Sequence, residues 1–261
     1  MRRWFRSRPA ARSRSIDEAL WREATAEWLF MRGLPEESNR RLKALSERFL
    51  AMKHYSGTHG LEVDARMQVE IAAQACILVL ELGIEWYEGW SEVIVYPSQF
   101  APEREEMDED GVVHLTNDPM AGEAWLGGPV VLSYEDVALA ADAEQRVAGY
   151  NVVIHEFAHQ LDQEAGYANG APELATRGHY ARWSRVLGEE YERLRASAEA
   201  GEPSLLDDYG ATDPAEFFAV LAEVFFEQPQ PLREENPLLY DELSRFFRVD
   251  PASWRPPAIP G

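Results

Sequence analysis

The chain has 261 residues, 46% of them hydrophobic, with eight Trp, eleven Phe and ten Tyr, enough apolar material to bury a substantial core and too much for a disordered or fibrous protein. Its formal charge is −21, and six of its 25 basic residues are arginines in the first fifteen positions, which leaves 19 basic against 46 acidic side chains over residues 16–261. So acidic a body repels phosphate backbones, which excludes direct nucleic-acid binding by it, and no apolar run approaches the roughly 18 residues that a membrane span needs.

Residues 1–15 are expected to form a basic, flexible tail. Arg2-Arg3 opens it, but Arg6, Arg8, Arg12 and Arg14 interrupt any apolar stretch, so no export signal is read. The single cysteine, Cys76, lies in an apolar run and reads as a small core residue in a reducing cytoplasm. Helical periodicity predicts one helix over Ile16–Phe30, a second over Glu36–Lys53 and a buried third over Asp64–Leu82, closed by Gly83. Together these form an N-terminal helical layer, about 16–82. A catalytic core follows at about 83–250, in what is expected to be a single domain over 16–261.

Val93–Tyr96 and Val112–Thr116 are β-branched runs expected to pair with each other, and Val130–Ser133 is a further strand, after which Ser133 begins a helix. The next helix is predicted from about Asp142 to Glu164, followed by a loop over 167–181. Helices over Ala181–Ala200, Asp213–Glu227 and Leu238–Phe247 complete the chain. The expected class is α+β, mostly helical with a small mixed sheet.

The chemistry lies in His155-Glu156-Phe157-Ala158-His159. Histidines four apart on a helix project from one face, close enough to share a tetrahedral Zn²⁺, and the intervening glutamate in such an HExxH pattern serves as general base toward a metal-bound water. Asp162 is a candidate to orient a histidine from behind. A third ligand is needed. Glu164 is rotated off the face, and Glu173 and His179 lie in or beside a loop. Glu216 and Glu223 are the only charges in the very apolar run Glu216–Phe226 and share one face, so the residues alone divide the role evenly between these two. Asp213-Pro214-Ala215-Glu216 also has the form of a capping box, which would occupy Glu216 differently.

Three segments resemble a known family: Gly122–Trp125 with Gly128–Ser133, Gly149–Asp162, and Tyr209–Leu221, in order over about a hundred residues. The chain is similar to the Mlc titration factor A family of bacterial zinc peptidases, whose core is related to the anthrax lethal factor protease. The resemblance implies a zincin-like fold, one Zn²⁺ per chain held by His155, His159 and Glu216, Glu156 as catalytic base, and Tyr209 as a second catalytic residue that donates to an oxyanion. It implies an aminopeptidase-like hydrolase acting on a peptide or protein substrate paired along the Val130–Ser133 strand as a sheet edge. It also implies a transcriptional repressor of the Mlc type as partner, with a regulatory role in control of the sugar phosphotransferase system. The alternative reading is a non-catalytic, metal-stabilised binding protein that sequesters that repressor.

Overall fold

A computed structural model of the chain describes residues 14–100, 104–107, 113–116, 120–140, 149–164 and 166–254. The basic tail, apart from its last two residues, lies outside them. The N-terminal layer begins with α1 (Glu18–Thr25) and α2 (Leu29–Gly33), where one continuous helix was expected. Packing overrides periodicity there: Trp28 is extended, and its ring stacks on Phe30 at 5.9 Å inside the core. α3 (Glu36–Met52) matches expectation. The buried helix is α4 (Ala65–Leu78), capped by Asp64 and shorter than expected, since the chain leaves helical geometry before Gly83 at φ +99°.

A four-stranded mixed sheet has the order β1 (His54–Gly57), β2 (Glu92–Tyr96), β6 (Val130–Ser133), β5 (Gly122–Ala124). β1 and β6 run parallel to β2, with Val93 beside both Tyr55 and Val130, and β5 is antiparallel to β6. The expected pairing of Val93–Tyr96 with Val112–Thr116 does not form. Instead β4 (Val113–Thr116) pairs antiparallel with β3 (Arg104–Met107) in a separate two-stranded sheet. A β-branched pattern identifies a strand but not its partner, and parallel neighbours come from distant sequence. Val130–Ser133 is likewise not an edge: all four residues are buried between β2 and β5, and β5 is the strand at the border.

After α5 (Tyr134–Leu139) comes α6 (Val152–Gln163), which starts later than expected because Asn151, with its side chain accepting the Ile154 N–H, caps it; residues 142–148 of the expected helix lie outside the described residues. The remaining helices are α7 (Arg177–Ala200), α8 (Pro214–Glu227), α9 (Pro229–Glu235) and α10 (Pro237–Phe247). The proline-rich sequence concealed α9, although proline suits a first helical position.

A continuous core joins these layers. α6 packs most extensively against α8 and also against α4 and β5. Its Phe157 enters an aromatic cluster with Phe49, Tyr87 and Trp90 at ring separations of 5.6, 5.3 and 5.7 Å, which fixes the inner face of the helix and turns the opposite face toward a cleft. Among the described residues no helix is long and apolar enough to cross a membrane.

Candidate metal centre

His155 and His159 share the cleft-facing side of α6, one turn apart, with their Nε2 atoms 3.2 Å from each other. α8 crosses this face with Glu216 in its first turn, where Asp213 caps the helix by accepting the N–H groups of Ala215 and Glu216. The Glu216 side chain is free to reach across. Its Oε2 lies 2.9 Å from Nε2 of His155 and 3.4 Å from Nε2 of His159. Ligands at ordinary zinc distances in a tetrahedron stand about 3.3 Å apart. The three donor atoms therefore already hold the spacing of one tetrahedral face, and His155, His159 and Glu216 form a group able to hold a metal ion.

The electrostatics agree. Burial works to raise the Glu216 carboxyl, but hydrogen bonds and positive charge from His155 and His159 outweigh it and hold it well below the usual carboxylate range. Burial works to lower His155, but Glu216 and Glu223 outweigh it and hold the imidazole well above its ordinary value. The cluster thus favours a cation among its donors.

Glu223 lies on the other side of His155. Its Oε1 is 2.8 Å from Nδ1 of His155, and its Oε2 accepts the backbone N–H of Asn151 at 2.5 Å. Nδ1–H donation to Glu223 leaves the Nε2 lone pair directed at the other two donors. Asn151 adds a second tie, donating from Nδ2 to Glu227 at 2.8 Å. The seven-residue spacing that made Glu216 and Glu223 equivalent in sequence puts them on opposite nitrogens of one ring.

Glu156 is 5% exposed and runs against β5: a Cβ added to Gly122 would stand 2.5 Å from its Oε1. Burial pushes this carboxyl up to about 7, against the pull of the two imidazoles. Tyr209 is 53% exposed on a short 3₁₀ turn, its ring 5.9 Å from that of His155. Cavities of about 310 and 540 Å³ flank the cluster, and His155, Glu156 and Tyr209 border both. Asp162 does not orient a histidine as expected; its oxygens are engaged by three backbone N–H groups. Glu164, Glu173 and His179 are not in the cluster.

The family profile described as "Glucose-regulated metallo-peptidase M90" matches residues 1–248. Proteins named Mlc titration factor A are similar over most of the chain. That of Cronobacter sakazakii is 38% identical over 222 residues, covering 84% of this chain and 82% of the relative. That of Escherichia fergusonii is 38% identical over 238 residues, covering 90% and 88%, and that of Salmonella arizonae 37% over 236 residues, covering 89% and 92%. The chain belongs to the Mlc titration factor A family. The names of these relatives correct one expectation. The expected zinc metallopeptidase, with hydrolase, protease and aminopeptidase activity, is not what these relatives are named for: they are named for titrating Mlc and not for hydrolysis. The three-donor cluster shows only that a metal ion could be held there. Family membership and a cluster able to hold a metal are what stand.

Proposed function

We propose that this chain is a metal-stabilised binding protein that sequesters a transcriptional repressor of the Mlc type, and through it bears on control of the sugar phosphotransferase system. The observation that carries the proposal is the 37–38% identity, over 84–90% of the chain, to proteins named for titrating Mlc. In this reading the fold is zincin-like and the metal is one Zn²⁺ per chain, with His155, His159 and Glu216 as its protein ligands and Glu223 orienting His155. Zinc suits two imidazoles and a carboxylate. Bound there, it supplies a fixed positive charge that ties α6 to α8.

The test uses the purified full chain, an Mlc-type repressor and its operator DNA. Sequestration predicts a stable complex in sedimentation and release of the operator in proportion to added protein. Absence of both, or conversion of the repressor into shorter fragments in place of a complex, overturns the proposal.

A further inference from the structure

Asp162 stands three residues beyond His159 on α6 and is fully buried, at 0% exposure. A carboxylate in that position must be hydrogen-bonded. It accepts three successive backbone N–H groups from the following loop: Asn169 at 2.8 Å and Gly170 at 2.6 Å on Oδ2, and Ala171 at 2.9 Å on Oδ1. The loop is thereby folded back over the end of its own helix. Its central residue, Gly170, has φ +75°, and a Cβ there would stand 2.2 Å from the carbonyl oxygen of Pro214. Pro214 is the first residue of α8, two before Glu216. From the other side, the Gly170 carbonyl accepts the indole N–H of buried Trp183, on α7, at 2.8 Å.

We infer that Asp162 is a positioning residue for the metal centre. By holding residues 169–171 against Pro214 it sets the separation between the two histidines of α6 and Glu216 of α8. The backbone contact at Gly170 is the spacer, since it leaves no room for even a methyl group. Donor atoms that must meet one ion tolerate misplacement of only about 0.5 Å, so this remote contact governs whether three ligands or two reach it. The inference rests on the proposed metal role of these donors and not on repressor binding.

The experiment measures zinc affinity by chelator competition in the full chain, and the visible spectrum of the Co²⁺-substituted protein, which reports ligand geometry. Asp162→Asn, which keeps one acceptor oxygen, and Gly170→Ala, which leaves Asp162 intact, should each weaken zinc by about 10–100-fold, the range for groups that hold metal ligands from behind. Both should weaken the tetrahedral cobalt bands. Asp64→Ala removes the cap of α4, far from this loop, and should lower the melting temperature without changing either readout. Wild-type affinity and spectrum in both Asp162→Asn and Gly170→Ala would overturn the inference. A wild-type chain that binds no zinc would instead overturn the metal reading. Amide hydrogen exchange of the chelated protein then decides the positioning separately: Asp162→Asn should speed exchange at Ala215 and Glu216 more than Asp64→Ala does, and equal exchange overturns it.

Discussion

Glu223 and Asn151 join the two helices of the candidate metal centre through a short contact: the buried carboxylate accepts the Asn151 backbone N–H at 2.5 Å, at the point where α6 begins. The same carboxylate holds Nδ1 of His155 at 2.8 Å, so one residue of α8 both starts the histidine helix and sets the tautomer of its first histidine. Glu216→Ala should therefore remove a metal ligand, whereas Glu223→Gln should leave all three in place and weaken zinc by about 10–100-fold. Competition with a graded series of chelators reads both variants. A greater loss in Glu223→Gln than in Glu216→Ala would exchange the two roles.

A zinc ion held as proposed between α6 and α8 would bind the folded chain and not the unfolded one, so its removal should cost stability by mass action. At free zinc a hundredfold above its dissociation constant the expected loss is about 2.7 kcal/mol. Thermal unfolding with and without chelator should show a lower midpoint in the stripped protein, and His159→Ala should abolish the difference. An unchanged midpoint would exclude a stabilising metal.

What could be read from the sequence was whatever depends on local spacing. His155 and His159 share a face because they are four apart, and the Asp213-Pro214 cap predicted the start of α8 correctly. The choice between Glu216 and Glu223 was not legible, because it depends on where α8 crosses α6, and both residues satisfy the same helical period. β1, with the sequence His54-Tyr55-Ser56-Gly57, and β5, with Gly122-Glu123-Ala124, were invisible as strands. They are short and poor in β-branched residues, and they exist because β2 and β6 offer them hydrogen-bonding edges. Asp162 does not take the expected role of orienting a histidine, because its partners are backbone groups that no side-chain pattern announces.

The close approach of β5 to α6 gives a separate prediction. A methyl group at Gly122 would stand 2.5 Å from both Cγ and Oε1 of Glu156 and 2.7 Å from Cδ, too near for small adjustments of one side chain. Gly122→Ala should destabilise the protein by about 1–3 kcal/mol. Most of that loss should disappear when Glu156→Ala is added, because the overlapping atoms are then gone. A double-mutant cycle by urea unfolding measures the coupling. Additive effects of the two substitutions would mean that Gly122 is constrained by something other than Glu156.

Lys53 provides the clearest dependence of stability on pH away from the His155–His159–Glu216 cluster. It is 4% exposed, donates from Nζ to the carbonyls of Tyr87 and Trp90 at 2.5 Å each, and lies 3.3 Å from the centre of a Trp90 ring. Burial pushes its ammonium down from an ordinary 10.5 to about 7, against weaker opposing pulls from Cys76, Glu164 and Glu88. A folded-state pKa below the unfolded one means that the unfolded chain binds more protons between these two values. The contribution of Lys53 to stability is therefore greatest above pH 10.5, declines as the pH falls, and is lost once the pH passes below about 7. The slope in that window is at most about 1.4 kcal/mol per pH unit. Lys53→Met removes the titration and leaves two carbonyls without their donor, a cost that does not vary with pH. Urea unfolding of both proteins between pH 7 and pH 9.5 should give a stability difference that grows with pH in favour of the wild type. A constant difference would mean that the two carbonyls and the Trp90 ring hold Lys53 charged throughout.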